Sequence, residues 1–336
     1  MKNPKHSEKK FDDVRAAIDI GSNSVKLLIA HVDGKSVIPV VEKSEQTRLN
    51  RGLEKTGEFD NASVQGTLKV LRKYIQICID HETVPPVIFA TSAARRAGKK
   101  SLRELLLPIW KEFGLSVQVI SPLQEARWAF RGVCSCTSFQ DTPVLITDVG
   151  GGSAQFTIGK RSKFIWSKSC SLGAVHLLEQ VSLSDPPTTI EKSEVLAKVR
   201  KTVSELRSEI EADDTIRKSI PDFSIDHIHW VGTGGAATIL ASMHLKLSRF
   251  NRNKLEGTVL SAGELQDWVD KIWSLSLEER KLLPGLPSSR ADITLMGTAV
   301  YLAIMQVFAF NELYISTRGG SFGALLEKPM NKDKGF

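Results

Sequence analysis

The amino-acid sequence predicts an α/β protein. Segments rich in Val, Ile and Leu, typical of strands, alternate along the whole length with segments whose apolar residues recur at helical spacing. A D-x-G motif at Asp19 recurs at Asp148, about one domain length later, which indicates two similarly built halves. A chain of 336 residues also favours two domains, at roughly 150 residues each.

The first part of the chain predicts alternating strands and helices. Residues 14–32 and 36–42 have strand composition, and apolar residues at helical spacing predict a helix over residues 61–79. The stretch PPVIFATSAARRAG predicts a buried strand followed by a polar loop. LRELLLPIWKEFG predicts a helix interrupted by its proline, and SVQVI predicts another strand.

A sharply marked helix start follows at Ser121, which fits the N-cap position. Pro122 fits the first helical position, and Gln124 fits the reciprocal position of a capping box. This start places Glu125 in the first turn of the helix. We next expect strands around residues 144–158 and 163–168 and a helix over 191–212. IHWVGTGGAATILASM predicts a strand, a glycine turn and a helix. The chain should then be mostly helical to about residue 310, and LYIS predicts a last short strand.

Two later segments each leave an alternative. His227 and His229 alternate, which predicts a pair on one face of a strand in preference to a metal site. Residues 293–310 are uncharged, but Gly297 and Gln306 are among the residues that dilute their hydrophobicity. We therefore expect a helix buried between domains in preference to a membrane span.

Composition and charge limit the location and the partners. The net charge is +7, and the lysine-rich residues 1–12 predict a flexible basic tail that lacks the apolar core of a signal peptide. The four cysteines form no C-x-x-C pair, so reduced thiols and a cytoplasmic location are expected. No basic stripe is interleaved with aromatic residues, so we expect neither nucleic acid nor a membrane as partner. The modest excess of positive charge is compatible with an anionic ligand.

The repeated motif predicts phosphate binding. IDIGSNSVKLLIA and TDVGGGSAQFTIG each place a glycine loop between two strands, and glycine lets successive backbone N–H groups turn toward phosphate oxygens. Ser24 and Ser153 would add hydroxyl donors. Asp19 and Asp148 would repel phosphate without a cation between them, which indicates Mg²⁺. Two plain hairpin turns are the alternative, and the aligned pair argues against it. GTGG at 232–235 is a third glycine turn, equally suited to an anion or to packing.

Paired D-x-G loops followed by G-T-G-G resemble the actin-like, sugar-kinase and heat-shock-chaperone ATPase superfamily. Within it, the chain resembles the exopolyphosphatase / guanosine pentaphosphate phosphohydrolase family from about residue 14 to 327. The motifs that carry this resemblance, in family order, are DIGSNS, ATSAARRA, QEARWAFRGV, DVGGGSAQ, SLGAVHLLE, VGTGGAATILA and LPGLPSSRADITLMG. The resemblance implies two actin-like (ribonuclease H-like) domains with a cleft between them. Domain I would comprise residues 13–122 plus about 312–330, and domain II residues 123–311.

The resemblance also implies a reaction and its residues. The reaction would be hydrolysis of a terminal phosphoryl group of inorganic polyphosphate or guanosine pentaphosphate (pppGpp), with Mg²⁺ or Mn²⁺ as cofactor. Members of the family commonly form homodimers, so a homodimer is also implied. Glu125 would be the general base, Asp148 would assist it, and Asp19, Asp148 and Gln155 would hold metal. The phosphate-binding residues would be Asn23, Ser24, Arg95, Gly150, Gly151, Gly152, Ser153 and Gly234. The residue pattern supports Glu125 independently, since a carboxylate at a domain junction can deprotonate water; a plain first-turn glutamate is the alternative.

The chain departs from the family pattern at several positions around this site. Gln155 replaces a metal-binding glutamate, Lys26 stands where arginine or histidine is commoner, His176 replaces an arginine, and RGGSFGAL replaces G-x-R-E-G. The leading hypothesis is a metal-dependent phosphohydrolase. A non-catalytic sensor of polyphosphate or an alarmone is the second. A phosphotransferase to a sugar or carboxylate is the third, although no acceptor-binding base is evident.

Overall fold

The computed structural model describes residues 13–34, 36–136 and 142–327, so the predicted tail over residues 1–12 lies outside the described residues. A five-stranded sheet with strand order β3-β2-β1-β4-β5 forms the first domain. Its strands are β1 (Asp13–Ile20), β2 (Ser24–Asp33), β3 (Ser36–Gln46), β4 (Val87–Ala90) and β5 (Val117–Val119). The helices of this half are α1 (Leu53–Thr56), α2 (Asn61–Asp80), α3 (Ser92–Arg96), α4 (Lys99–Phe113) and α5 (Pro122–Cys134).

A six-stranded sheet with strand order β10-β11-β9-β6-β7-β8 forms the second domain. Its strands are β6 (Val144–Val149), β7 (Ala154–Lys160), β8 (Lys163–Cys170), β9 (His229–Thr233), β10 (Val259–Ser261) and β11 (Glu312–Ile315). The remaining helices are α6 (Ala174–Glu179), α7 (Thr189–Ala212), α8 (Asp214–Ser219), α9 (Gly234–His244), α10 (Arg252–Leu255), α11 (Ala262–Ser274), α12 (Leu277–Lys281), α13 (Thr294–Phe308) and α14 (Gly320–Leu325).

The two sheets repeat one topology. In the first, an antiparallel meander of β1, β2 and β3 lies beside β4, which runs parallel to β1. In the second, an antiparallel meander of β6, β7 and β8 lies beside β9, which runs parallel to β6. The internal repeat and the α/β class predicted from the sequence are confirmed.

The prediction that residues 312–330 return to the first domain is wrong for residues 312–315, which form β11. β11 pairs with β9 and β10 in the second sheet, because Leu313 and Ile315 are fully buried in the second core. Only α14 crosses over, and it packs on α5 and β1. The chain therefore leaves the second domain after β11.

Several local predictions also need correction. The polar loop expected after β4 is the helix α3, and Pro108 lies within α4 without ending it. His227 ends a short 3-10 turn and only His229 lies in a strand, so the two do not share a strand face. Ser121 caps α5 as predicted, but the Gln124 side-chain amide donates to Glu327 (3.2 Å).

The apolar segment over residues 293–310 forms α13, which is almost entirely buried. It packs on α6, α7, α9 and α11, so it lies inside the second domain and not between the two domains as expected. Across the described ranges, no helix combines the length and the hydrophobicity needed to cross a bilayer.

Helix α5 connects the two cores. Its Trp128 packs beneath the first sheet, with its ring 4.9 Å from that of Phe89 (centroid to centroid). Two residues later, Phe130 packs in a cluster with Val144 and Val231 of the second sheet. Since one rigid helix is anchored in both domains, its first turn has a defined position relative to both.

Close contact between α5 and α14 depends on glycine. A Cβ on Gly323 would lie 1.9 Å from the backbone oxygen of Trp128, and one on Gly132 would lie 2.2 Å from the backbone oxygen of Gly319. Real Cβ atoms do not approach so closely, so a side chain here would force the two helices apart.

We predict that Gly323→Ala lowers the free energy of unfolding by about 1–3 kcal/mol, the usual cost of overpacking. Gly66→Ala is the matched control, because Gly66 lies inside α2 with open space at its Cβ position. It should stabilise the protein by up to about 1 kcal/mol, since alanine favours helix more than glycine does. Urea denaturation of both variants provides the measurement, and equal effects would contradict the packing argument.

Candidate active site

A cleft of about 540 Å³ lies where the two domains meet. Both D-x-G loops contribute to its walls, together with Glu125 from α5, Gly234 from α9 and Arg290 from the segment before α13. The repeated motifs are therefore brought to one place, although they are far apart in sequence and belong to different sheets.

The two loops have the same local geometry. The β1–β2 loop is closed by a hydrogen bond from Gly21 N–H to the Ser24 carbonyl (3.0 Å), and the β6–β7 loop by one from Gly150 N–H to the Ser153 carbonyl (2.9 Å). Both loops join antiparallel strands, as the sequence predicts. A helix does not follow the glycines, which separates these loops from Walker and Rossmann loops.

The backbone of each loop is oriented by hydrogen bonds to its carbonyl groups. The Ser22 carbonyl accepts from Asn50 N–H, and the Gly150 and Gly151 carbonyls accept from N–H groups at the start of α6. A trans peptide directs its N–H opposite to its C=O. The N–H groups of Asn23, Gly151 and Gly152 therefore point away from these supports, and they have no acceptor among the described residues.

Contact between the two loops favours small residues at Gly151 and Gly152. A Cβ on Gly151 would lie 3.2 Å from the Ser22 Cβ and 3.3 Å from the Asn23 Cβ, both in the opposite loop. One on Gly152 would lie 2.9 Å from the Ser22 hydroxyl oxygen. Small residues are required because the two loops meet face to face.

The aspartate of each loop is half-buried and faces a defined cross-strand neighbour. Asp19 pairs in register with Lys26, and Asp148 with Gln155. Burial raises the pKa of Asp19 to about 6, with Lys26 opposing the rise and Asp148 adding to it. Burial also raises the pKa of Asp148, again opposed by Lys26. The Lys26 ammonium lies 4.0 Å from an Asp19 carboxylate oxygen.

Glu125 is a further carboxylate of the cleft and lies in the first turn of α5. Burial raises its pKa to about 7; Arg95 opposes the rise, and Asp148 and Asp19 add to it. Arg95 forms an ion pair with Glu125 (2.8 Å) and donates a hydrogen bond to the Ile120 carbonyl (2.9 Å). The structure places Arg95 beside Glu125, and its predicted contact with phosphate stays a prediction.

Gly234 is the one predicted residue that comes from α9. Its φ is +79°, and a Cβ there would lie 2.0 Å from a carboxylate oxygen of Asp148. Both constraints require glycine. The third glycine turn therefore closes over the aspartate of the second loop.

Arg290 is a residue of the cleft that the sequence argument missed. Its guanidinium donates to the Ser24 hydroxyl (2.6 Å), and a Cβ on Gly235 would lie 2.7 Å from it. It thus connects the first loop to the start of α9. Its position in the motif LPGLPSSRADITLMG could have indicated a role for Arg290 in the site. The neighbouring residues, however, do not indicate which side chain it contacts.

His176 lies beside the second loop, outside its cradle. Its backbone N–H donates to the Gly151 carbonyl (3.0 Å). Its ring contacts the Glu54 carboxylate of the first domain (3.2 Å) and the Gln180 side chain (2.7 Å). The histidine that replaces a family arginine therefore bridges the domains.

Several buried polar atoms of the cleft lack a hydrogen-bond partner among the described residues. They include one carboxylate oxygen of Asp19, the side-chain oxygen of Gln155 and the side-chain nitrogen of Asn23. Buried polar atoms are rarely left unpaired. The oxygens of Asp19 and Gln155 are suited to a cation. The Asn23 nitrogen and the free N–H groups of the loops are suited to the oxygen atoms of an anion.

Two repeated α/β domains around a shared cleft define the actin-like class of two-domain proteins. The chain belongs to the Ppx/GppA phosphatase family, whose sequence profile matches residues 28–331. The crystal structure of the Aquifex aeolicus member of that family is 28% identical, with a TM-score of 0.77 over 95% of this chain and 98% of the other. An exopolyphosphatase structure from Cytophaga hutchinsonii has a TM-score of 0.81 at 24% identity, over 92% of this chain and 96% of the other, and it supports the fold.

Two curated relatives are similar in sequence. Exopolyphosphatase 2 of Mycobacterium tuberculosis is 25% identical over 295 residues, covering 85% of this chain and 88% of the relative. The bifunctional 3-dehydroquinate synthase/phosphatase of Fusobacterium nucleatum is 28% identical over 333 residues. That match covers 95% of this chain but 47% of the relative, so this chain spans about half the length of that protein.

The raised pKa of Glu125 predicts a pH-dependent stability. The folded protein keeps the Glu125 proton up to about pH 7, whereas the unfolded chain releases it near pH 4.5. The free energy of unfolding should therefore fall as the pH rises between these values, and Glu125→Gln should remove up to about 3 kcal/mol of this fall. Denaturant titrations across this range test the prediction, with Glu104→Gln at an exposed site of α4 as control. Parallel pH profiles of wild type and Glu125→Gln would contradict it.

Proposed function

We propose that this protein is a metal-dependent phosphohydrolase that releases terminal phosphate from inorganic polyphosphate or from pppGpp. The observation that carries the proposal is the meeting of two amide-lined loops and a half-buried glutamate in one cleft. Membership of the Ppx/GppA phosphatase family supports it, as does the similarity to exopolyphosphatase 2 of M. tuberculosis.

The loops would bind the terminal phosphoryl group. The free N–H groups of Asn23, Gly151 and Gly152 would donate to its oxygens, and Arg290 would hold Ser24 in place. Glu125 would accept a proton from a water molecule, whose oxygen attacks phosphorus as the bond to the bridging oxygen breaks. The products are orthophosphate and a chain shortened by one phosphoryl group. A pKa of about 7 suits Glu125 to act as a base near neutral pH, and Arg95 would fix its orientation.

Mg²⁺ or Mn²⁺ would bind to the oxygens of Asp19, Asp148 and Gln155. Two carboxylates and an amide oxygen are ligands that Mg²⁺ accepts, and it usually keeps several water molecules. The unpaired oxygens of Asp19 and Gln155 fit this assignment. Within the described residues, no three His, Cys, Asp or Glu side chains form a ready metal cluster, so substrate oxygens and water would complete the coordination. The ion would offset the negative charge of the phosphoanhydride.

We predict that Glu125→Gln lowers kcat for phosphate release by about 10²–10⁴-fold, the usual contribution of a general base. The assay measures orthophosphate released from polyphosphate and from pppGpp with Mg²⁺ or Mn²⁺. Glu104→Gln, at its exposed site in α4, should keep wild-type turnover. Unchanged turnover in Glu125→Gln would contradict the assignment of Glu125 as the base. A wild-type protein that releases no phosphate from either substrate would contradict the proposed function.

A non-catalytic sensor of polyphosphate or an alarmone is the second candidate. The neutral Gln155 beside Asp148 and the ion pair that engages Glu125 with Arg95 favour it. Tight binding without phosphate release in the same assay would identify this function. In either case we expect a homodimer, which light scattering of the purified protein can test.

We also predict that Gln155→Glu strengthens Mn²⁺ binding by roughly tenfold, because it adds one negative charge beside Asp148 in a buried site. Isothermal titration of the ligand-free protein measures the affinity. Gln46→Glu is the control, since Gln46 lines the same cleft from β3 and lies opposite Ser24 and not beside an aspartate. Equal affinities of wild type and Gln155→Glu would exclude a ligand role at this position.

A further inference from the structure

Each phosphate loop is supported from behind by a different element. The first loop is held by the segment after β3, here called the brace (residues 47–54), in which three N–H groups donate to the carbonyls of Ser22 and Asn23 (2.8–3.0 Å). The second loop is held by the start of α6, where three N–H groups donate to the carbonyls of Gly150 and Gly151 (2.9–3.0 Å). The brace belongs to the first domain and α6 to the second, so contacts between these two supports influence the spacing of the loops.

The brace and α6 contact each other through polar groups. Nδ1 of His176 lies 3.2 Å from a Glu54 carboxylate oxygen, and the Glu179 carboxylate accepts a hydrogen bond from Gly52 N–H (3.3 Å). The Glu54 carboxylate is oriented from the other side by Arg96 (2.7 Å). His176 therefore contacts the second loop through its backbone N–H and the support of the first loop through its ring.

The hydrogen bonds around the His176 ring determine its tautomer. The Lys198 ammonium donates to the side-chain oxygen of Gln180 (2.6 Å), because an ammonium group has no acceptor. The Gln180 amide nitrogen therefore faces Nε2 of His176 (2.7 Å) and donates to it. Nε2 must then carry a lone pair, so the hydrogen of the neutral ring lies on Nδ1, which faces Glu54.

These surroundings stabilise the Nδ1–H tautomer against the alternative. A hydrogen on Nε2 would oppose the Gln180 amide group, and turning that amide would direct its N–H groups at the Lys198 ammonium. The His176 side chain is 8% exposed, so water has little access to the ring. The angle from Nδ1 to Glu54 falls short of a hydrogen bond, but the Glu54 side chain is 42% exposed and has room to turn toward the N–H group.

We propose that His176 is a positioning residue of the phosphate site: as the Nδ1–H tautomer it joins α6 to the brace and thereby holds the two loops at the spacing that binds a phosphoanhydride. The phosphate ligand rests on the proposed function, but the binding claim does not require turnover. The contact needs an N–H donor at position 176 and a carboxylate at position 54. It does not need a positive charge on the ring.

Isothermal titration of the full chain with imidodiphosphate and Mg²⁺ measures the binding, because the P–N–P link of this phosphoanhydride analogue resists hydrolysis. His176→Leu removes the donor and should bind about tenfold more weakly, the scale of one polar contact to a charged group. His176→Asn places an amide N–H near the position of Nδ1 and should remain close to wild type. His244→Leu is the matched control: His244 lies 3.9 Å from Glu264 within the second domain, and its loss should leave the affinity unchanged.

A double-mutant cycle determines whether His176 acts through Glu54. Glu54→Leu should also weaken imidodiphosphate binding, and adding His176→Leu to it should have little further effect, because the contact is already lost. Thermal unfolding verifies that each variant is folded. If His176→Leu does not fold, Glu54→Leu, at a more exposed side chain, provides the binding test by itself.

The tautomer has its own spectroscopic signature. The ¹⁵N chemical shifts of a neutral imidazole differ according to which ring nitrogen carries the hydrogen, and the His176 signals are assigned by their absence from His176→Asn. At about pH 8, the wild type should show the Nδ1–H tautomer. Lys198→Met leaves the Gln180 amide free to turn, so the Nε2–H tautomer should appear in that variant.

Four results would each overturn the proposal: no imidodiphosphate binding by the wild type, unchanged affinity in His176→Leu or in Glu54→Leu, additive losses in the double variant, or an Nε2–H tautomer in the wild type. Failure of the proposed function has a different signature. A wild-type protein that binds imidodiphosphate but releases no phosphate from polyphosphate or pppGpp contradicts the hydrolase, while the binding and tautomer results for His176 still stand.

Discussion

Asp19 and Asp148 are brought into one cleft by the contact between two hairpin loops, and the cost of charging both carboxylates there constrains the whole site. Burial disfavours their charged forms, and Asp148 adds to the rise in the pKa of Asp19. The loops also direct free N–H groups into the same space, which attracts an anion. An anion beside two carboxylates requires positive charge between them. Lys26 provides part of it, and a divalent ion bound with the substrate would provide the rest.

The fold holds Glu125 at this place by a different route. The aspartates lie at the ends of the two sheets, whereas Glu125 begins α5, whose apolar side chains enter the cores of both domains. Polar contacts complete the junction between the domains: Arg48 pairs with Asp292 (3.0 Å), and Arg252 pairs with Glu42. Interfaces of this polar kind between domains commonly permit relative motion. Glu125 is therefore anchored by apolar packing, while the cleft around it is held by ion pairs.

Local sequence patterns were sufficient to predict the α/β class, both loops and the N-cap of α5, because each depends on residues within a few positions. They failed where contacts between residues that are distant in sequence determine the structure. β11 has four residues, and its sheet is determined by pairing with β9. The ion pair between Arg95 and Glu125 joins two helices that are distant in sequence, so no local pattern predicted it. Arg290 reaches Ser24 across the domain junction, a contact that no local pattern specifies.

The residues proposed for phosphate binding and the residue proposed for catalysis lie on separate elements of this fold. The hairpin loops can hold a phosphoryl group without Glu125, so their preservation alone does not establish hydrolysis. Glu125 has its own physical argument. Its burial raises the pKa to about 7, and a carboxylate in such a position destabilises the folded protein when it is charged. Arg95 offsets only part of that cost. Carboxylates with strongly shifted pKa values in a cleft are concentrated at functional sites, and a general base works best with a pKa near the operating pH. The position of Glu125 therefore favours the hydrolase over the sensor.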